Sequence, residues 1–176
     1  IIWMVTQFHC GTLLDWRLKQ ARPLREMLPL YLNVYSQLLS ACHALREHKI
    51  NHFDLKLDNI LLDPLGPAVS DDEFWAPRSS VPPFYPCVAD FGEALVYSGD
   101  EEQYTTRNRG TECCKSPEML KIAYASQKER DFYDRRKKAG CSSASDVWAI
   151  ALMLYELLTG DYLFYDEDWV RFFMRV

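Results

Sequence analysis

The feature that most constrains the fold is a long apolar-faced segment that runs directly into a cluster of polar residues. Between residues 28 and 49, apolar side chains recur at spacings of three and four, namely Leu32, Tyr35, Leu38, Leu39, Cys42 and Leu45. This period predicts a long helix with one buried face. The polar cluster begins at His52, so it should occupy the loop that follows this helix.

The polar cluster combines three kinds of side chain within six residues, the carboxylate of Asp54, the ammonium of Lys56 and the carboxamide of Asn59. A strand predicted at Ile60-Leu61-Leu62 follows it. Asp54 can accept the proton of an attacking hydroxyl, Lys56 can offset charge on a transferred phosphoryl group, and Asn59 can offer an oxygen to Mg²⁺. The cluster therefore suits phosphoryl transfer, although an isolated Asp before a strand is often only a turn residue.

A second polar element, Asp90-Phe91-Gly92, follows a predicted strand at Cys87-Val88-Ala89. The carboxylate of Asp90 can bind the metal ion that bridges nucleotide phosphates. Phe91 is expected to pack inward, and Gly92 gives the backbone freedom to move. The tripeptide alone has modest weight, but it follows the first cluster along the chain.

Two further motifs complete an ordered set. The first is Gly110 to Glu118, and the second is Asp146-Val147-Trp148, which opens a buried helix predicted over Val147 to Leu158 and ended by Gly160. The series H-x-D-L-K-x-x-N, D-F-G, G-T…S-P-E and D-V-W…Y-E-L-L-T-G resembles the protein kinase family from residue 1 to about residue 164. Four such motifs in family order are not expected by chance.

The resemblance implies an α+β fold, the C-terminal lobe of a protein kinase, mainly α-helical with short strands at the catalytic loop. Residues 1–176 would be a partial kinase domain, with the last N-lobe strand and hinge in 1–11 and the C-lobe in 12–176. Insertions are expected at about 63–86 and about 122–144. The N-terminal lobe is absent from this sequence, both chain ends are expected to be cuts, and the fragment alone should not catalyse.

The same resemblance implies a serine/threonine protein kinase that uses ATP and Mg²⁺. Asp54 would be the catalytic base, and Lys56 the γ-phosphate contact that marks the serine/threonine class. Asn59 and Asp90 would bind Mg²⁺. Thr111 would bond to the Asp54 and Lys56 pair and shape the substrate-binding surface.

The start of the chain, from Val5 to Gly11, resembles the hinge between kinase lobes. Backbone groups near Gln7 and His9 would meet adenine, and Thr6 would be the gatekeeper. An apolar strand that ends in glycine is also common in cores, so a plain core strand is the alternative.

The sequence departs from the family pattern at Phe53, where an arginine usually precedes the catalytic aspartate. That change removes the cation that commonly neutralises a phosphate on the activation loop, and it argues against activation by such phosphorylation. The polar segment from Ser98 to Gly110 is expected to be a mobile loop. It contains hydroxyl groups that could be modified and arginines that could pair with a phosphate, namely Tyr104, Thr105, Thr106, Arg107 and Arg109.

Two other functions remain open. A pseudokinase or scaffold would use the fold to bind partners without chemistry, and Phe53 and the insertions motivate that alternative. A small-molecule kinase of the aminoglycoside or choline type also uses H-x-D-x-x-x-x-N. Such enzymes lack the substrate platform found here at residues 110–118, so the platform favours a protein substrate.

Composition limits the partners. The chain is 48% hydrophobic and 26% charged, with a net charge of −5, which fits one compact unit without a basic surface for nucleic acid. The six cysteines have no zinc-ligand spacing, and the longest apolar run, Val147 to Leu158, is too short to span a membrane. We expect an intracellular, cytoplasmic protein that acts on serine or threonine in other proteins. Its oligomeric state is not predicted. The Pro-rich segment 63–86 and the charged tract 128–138 are expected at the surface.

Overall fold

The computed structural model describes residues 7–66, 70–98, 104–124 and 141–176. Within these ranges the chain forms six α-helices and two small antiparallel sheets, joined by short 3₁₀ turns. The helices are α1 (Leu13–Leu18), α2 (Leu24–Glu47), α3 (Asp71–Trp75), α4 (Pro117–Tyr124), α5 (Ala144–Thr159) and α6 (Trp169–Arg175). The strands are β1 (Ile50–Asn51), β2 (Ile60–Pro64), β3 (Phe84–Val88) and β4 (Leu95–Val96). Strand β1 pairs with β4, and β2 pairs with β3.

The main core lies between α1, α2, α5 and the β2–β3 hairpin. Its members are fully or almost fully buried, and they include Leu13, Trp16, Leu30, Tyr31, Val34, Leu38, Phe84, Met153 and Leu157. Burying each large apolar side chain contributes about 1.5–3 kcal/mol before conformational entropy is subtracted. This core supports the loops that join β1 to β2 and β3 to β4.

The long helix predicted from the spacing is present as α2, but its start and its buried face differ from the prediction. It begins at Leu24, before the predicted start, and it contains Pro29 in its second turn, where the proline ring removes one backbone hydrogen bond of the helix. Leu32 and Leu39 are 48% and 45% exposed, whereas Leu38 is fully buried. Apolar residues occur on both sides of α2, so spacing alone did not identify the face that packs.

The segment 63–86, which was expected at the surface, lies partly in the core. Phe74 on α3 and Phe84 on β3 are 4% and 0% exposed and belong to the main core. The ring of Trp16 packs edge-on against Phe84 at a centroid distance of 5.1 Å, and its Nε1 donates to the carbonyl of Phe74 at 3.0 Å. Aromatic burial draws this Pro-rich segment into the fold.

Helix α5 begins before the predicted Val147, at Ala144, so Ser145 and Asp146 lie inside its first turn. It ends at Gly160, which has a φ of +86°, a conformation that glycine adopts without strain. The guanidinium of Arg17 donates to the carbonyls of Leu157 and Leu158 and so satisfies the end of the helix.

Some predicted features lie outside the described residues. The opening strand falls there except for Gln7 and Phe8, which have no regular structure. The charged tract 128–138 also falls there, with most of the expected insertion 122–144. No helix in the described part of the chain has the length and apolar character needed to cross a membrane.

Candidate active site

The loop that contains Asp54 is held by a side chain in the first turn of helix α5. The two carboxylate oxygens of Asp146 accept hydrogen bonds from the backbone N–H groups of His52 and Phe53, each at 2.7 Å. Asp146 is buried, so these charge-assisted bonds are little weakened by water. They hold Phe53 in the left-handed region, at a φ of +63°, which an aromatic residue rarely adopts. The next residue, Asp54, is thereby placed near the surface of the fold.

Asp54 is oriented through both of its carboxylate oxygens. Its Oδ1 accepts hydrogen bonds from the backbone N–H of Thr111 at 2.9 Å and from the Thr111 hydroxyl at 2.7 Å. Its Oδ2 accepts one from Nδ2 of Asn59 at 3.0 Å. The carboxylate is therefore fixed between the catalytic loop and the segment that precedes α4.

Lys56 lies beside this carboxylate. Its ammonium donates to the Thr111 hydroxyl at 2.8 Å and is 3.7 Å from Oδ2 of Asp54. The side chains of Lys56 and Asp54 are 21% and 12% exposed, so both are largely shielded from water but still reach the surface. A phosphoryl group placed there would meet a positive charge beside an oriented acceptor of protons.

Asn59 and Asp90 are brought together by the backbone. The N–H of Ala89 donates to the carbonyl of Asn59 at 2.9 Å, and Asp90 is the next residue. Nδ2 of Asn59 also donates to the backbone carbonyl of Asp54 at 2.8 Å, which leaves Oδ1 available as a ligand. Asp90 is exposed and has a φ of +60°.

Carboxylate and carboxamide oxygens at such a point fit Mg²⁺, which keeps several waters and needs few protein ligands. No group of three or more His, Cys, Asp or Glu side chains that could hold a metal occurs in the ranges that the structure describes. Asn59 and Asp90 are thus suited to a site that phosphate oxygens and water would complete.

Phe91 does not pack inward as predicted, since its side chain is 46% exposed. Its ring lies tilted against the ring of His52, with 4.9 Å between centroids. His52 is itself fully buried, and its Nε2 lies 3.0 Å from the carbonyl of Ala89. His52 therefore connects the Asp54 loop to the Asp90 loop.

A pair of adjacent cysteines lies next to Thr111. Sγ of Cys113 is 3.8 Å from Sγ of Cys114. The pKa of Cys113 is lowered to about 7, mainly because the Cys114 thiol donates to it, with smaller contributions from the Tyr162 hydroxyl and the charge of Lys56. The pKa of Cys114 is raised for the reciprocal reason and by burial. An open cavity of about 490 Å³ lies beside Thr111 and Cys113, and Tyr165 and Phe172 form its far wall.

Glu156 on α5 is a buried carboxyl group at the same end of the fold, only 4% exposed. Burial, together with smaller contributions from the negative charges of Asp58 and Cys113, raises its pKa to about 7. From the sequence, Glu156 had no predicted role beyond its place in the last motif.

The residues predicted to contact adenine lie beside β2. The Gln7 side chain donates to Oδ2 of Asp63 at 3.3 Å, and Nδ1 of His9 is buried without a partner in the described part of the chain. The backbone of Cys10 and Gly11 pairs with Leu62. Thr6 lies outside the described residues.

Two residues with contacts around this site were not predicted from the sequence. Asp146 was interpreted only as the opening of a helix, and its bonds to the Asp54 loop span more than 90 residues of sequence. Arg109 was considered only as a partner for a phosphate, yet its guanidinium donates to Glu93 and Thr105. Nothing in the local sequence signals either contact.

The site thus contains an oriented carboxylate beside an ammonium, with two oxygen ligands suited to Mg²⁺ nearby. These are the groups that phosphoryl transfer uses. The chain matches the family described as the protein kinase domain over residues 1–174. It belongs to that family.

Three relatives illustrate the similarity. A probable serine/threonine-protein kinase of Dictyostelium discoideum is 55% identical over 99% of this chain and 7% of its own length. The fatty acyl-CoA synthetase and RNA processing-associated kinase 1 of Saccharomyces cerevisiae is 28% identical over 95% of this chain and 15% of its own length. The serine/threonine-protein kinase PrkC of Bacillus subtilis is 27% identical over 82% of this chain and 17% of its own length. The chain thus spans less than a fifth of each of these three relatives.

Proposed function

We propose that this chain is the catalytic part of a serine/threonine protein kinase, which transfers the γ-phosphoryl group of ATP to hydroxyl groups of proteins. The observation that carries the proposal is the hydrogen-bonded group of Asp54, Lys56, Asn59 and Thr111. In this proposal residues 12–176 form the C-terminal lobe and residues 1–11 lead in from the hinge. Transfer would also need the phosphate-binding elements of an N-terminal lobe.

Asp54 would act as the base. Its Oδ1 already accepts two hydrogen bonds from Thr111, whereas Oδ2 accepts one from Asn59. Oδ2 therefore has the capacity to accept the proton of a substrate hydroxyl. Lys56 lies on the same side, 3.7 Å from Oδ2, where its charge would stabilise negative charge that develops on the phosphoryl oxygens.

Asn59 and Asp90 would hold Mg²⁺. When bound, the ion would bridge phosphate oxygens and neutralise part of their charge. The hydrogen bond from the N–H of Ala89 to the carbonyl of Asn59 supports this assignment, because it holds the backbone at Asp90 close to Asn59. Preorganisation of this kind lowers the cost of assembling the site.

A protein hydroxyl is the substrate that the site favours. Thr111 contacts both Asp54 and Lys56, and the cavity of about 490 Å³ begins at Thr111. A peptide seated in that cavity would present its hydroxyl to Asp54. The family match and the names of the relatives also favour protein substrates over small molecules.

The test is transfer of radiolabelled phosphate from ATP and Mg²⁺ to a generic basic protein by the full-length protein and its Asp54→Asn variant. Loss of the base should lower the rate by about 100-fold or more. Asp72→Asn, the same change at an exposed position on α3, is the matched control and should transfer at the normal rate. Binding of ATP without transfer by the unaltered protein would instead support a scaffold, and equal transfer by Asp54→Asn would exclude Asp54 as the base.

A further inference from the structure

The residue before Asp54 takes part in a small second core. Phe53 is 7% exposed and packs with Met119, Ile122 and Cys141, and Leu95 lies against them. This cluster joins the Asp54 loop to α4 and to the residues before α5. An apolar ring therefore stands where an arginine would otherwise provide a cation for an activation-loop phosphate.

A cation is nevertheless present at this place, supplied by Arg109. Its guanidinium carbon lies 5.9 Å from the centroid of the Phe53 ring. Nη1 of Arg109 donates to the backbone carbonyl of Glu93 at 2.8 Å and lies 3.5 Å from the Glu93 carboxylate. Nε donates to the Thr105 hydroxyl at 3.1 Å. The Arg109 side chain is only 13% exposed, so these contacts act with little screening by water.

Thr105 fixes the other end of the same segment. Its N–H and carbonyl pair with the carbonyl and N–H of Cys141 at 2.8 and 3.0 Å. Its hydroxyl oxygen accepts from the backbone of Arg107 as well as from Arg109, and the residue is 6% exposed. The described residues 104–110, which belong to the segment expected to be mobile, thus contact three other parts of the fold.

Three consecutive residues then contact three different parts of the site. Arg109 contacts Glu93, just after the Asp90 loop. Gly110 approaches the carbonyl of Phe53 so closely that an added Cβ would lie 2.2 Å from it. Thr111 bonds to Asp54. Because Gly110 and Thr111 directly follow Arg109, a displacement of Arg109 would be passed to the hydrogen bonds that orient Asp54.

We propose that Arg109 is a positioning residue that holds residues 104–111 against the catalytic site without a phosphate group on that segment. The proposal rests on the proposed kinase function and adds a mode of regulation to it. The internal contacts of Arg109 with Glu93, Thr105 and Phe53 replace the pairing of a phosphate with an arginine before the catalytic aspartate. Phosphorylation of Thr105 would break these contacts, because its hydroxyl is buried and already accepts two hydrogen bonds.

The test compares the full-length protein with Arg109→Met and Arg109→Lys, before and after treatment with a protein phosphatase. We expect phosphatase treatment to leave the rate of the unaltered protein unchanged. Arg109→Met should lower kcat about tenfold or more, with KM for ATP changed by no more than about twofold, because a buried charge-assisted contact is lost away from the nucleotide. Arg109→Lys keeps the charge opposite Glu93 but loses the Nε bond, so it should recover part of the rate.

Arg107→Met is the matched control, since the Arg107 side chain is exposed and lies in the same segment. It should keep the normal kcat. Normal kcat in Arg109→Met, or loss of activity in the unaltered protein after phosphatase treatment, would overturn the proposal. A wrong kinase assignment would appear differently, as absence of transfer by the unaltered protein.

Amide hydrogen exchange of residues 104–111 supplies a measurement that needs no activity. Arg109→Met should exchange faster there than the unaltered protein and Arg107→Met, while α2 keeps its protection. Equal exchange in all three proteins would overturn the proposed positioning role even if the protein were not a kinase.

Discussion

At the scale of single residues, Gly110 is the position where the chain tolerates no side chain. Its φ is +81°, and an added Cβ would lie 2.2 Å from the carbonyl oxygen of Phe53. Gly110→Ala should therefore move the backbone of residues 109–111 and cost about 1–3 kcal/mol in unfolding free energy. Thermal unfolding of the full-length protein measures this loss.

Gly66→Ala is the control for placing a side chain on a glycine of positive φ, here +157°, because an added Cβ there would meet no atom within 4 Å. It should destabilise the protein less than Gly110→Ala does. Equal melting temperatures for the two variants would contradict a close approach at Gly110.

Cys113 provides a second prediction at the residue scale. Because its pKa is about 7 and that of Cys42 is raised to about 11 by burial, the two thiols should differ in reactivity at neutral pH. The rate of Cys113 alkylation by iodoacetamide should rise through about pH 7 and level off only above that pKa. Peptide mass spectrometry from pH 6 to pH 9 measures the alkylation rate at both cysteines. In Cys114→Ala the hydrogen bond to Cys113 is lost, so the rise in the alkylation rate of Cys113 should move to higher pH. Equal rates at Cys113 and Cys42 at pH 7 would contradict the prediction.

The residues proposed to carry the chemistry were visible in the sequence because their order and spacing are local. Asp54, Lys56 and Asn59 lie within six positions, and Thr111 lies in a compact motif. Phe53 stood out in the sequence only because the family pattern usually has an arginine at that position. Its packing with Met119 and Cys141, and the guanidinium over its ring, depend on contacts between distant parts of the chain. No local pattern specifies such contacts.

At the scale of helices and strands, the first turn of α5 supports the Asp54 loop through one side chain. Asp146→Asn would replace one carboxylate oxygen by an amide group that cannot accept a hydrogen bond, and it would remove the charge. One of the N–H groups of His52 and Phe53 would then be buried without a partner, at a cost of about 1–3 kcal/mol.

Hydrogen exchange at residues 52–54 should accelerate in Asp146→Asn, and kcat should fall with it. Asp161→Asn, at an exposed position just after α5, is the control and should change neither quantity. Unchanged protection at residues 52–54 would show that Asp146 does not hold the loop.

Helices and strands were predicted to different degrees for physical reasons. Helix α2 was expected from its period, but its buried face was not, because apolar residues occur around much of its circumference. The strand at residues 60–62 was expected and is longer, since it pairs with β3. The segment 63–86 was expected at the surface because prolines and acidic residues dominate its composition. Burial of Phe74 and Phe84 outweighs that composition.

At the scale of the whole molecule, two cores of different size meet at the catalytic loop. The main core fixes α2, α5 and the β2–β3 hairpin, and the smaller core fixes Phe53 against α4. Asp54 lies between them and takes its orientation from both sides, through Asn59 on one side and Thr111 on the other. Charge buried near this junction should therefore affect the stability of the fold as well as the site.

Glu156 is the buried charge whose titration the structure predicts most clearly. Burial raises its pKa from 4.5 to about 7, so between these values the folded protein keeps a proton that the unfolded chain has lost. The stability contributed by protonated Glu156 is complete below pH 4.5 and disappears as pH rises through 7. A difference of this size corresponds to roughly 3 kcal/mol.

Glu156→Gln, which cannot ionise, should therefore be more stable than the unaltered protein at pH 8, with the advantage vanishing near pH 4. Hydrogen exchange of the α5 amides, corrected for the pH dependence of intrinsic exchange rates, measures this difference in stability in the full-length protein. Glu73→Gln, at an exposed position on α3, is the control. If Glu156→Gln and Glu73→Gln gave the same pH dependence, Glu156 would not be the group that titrates.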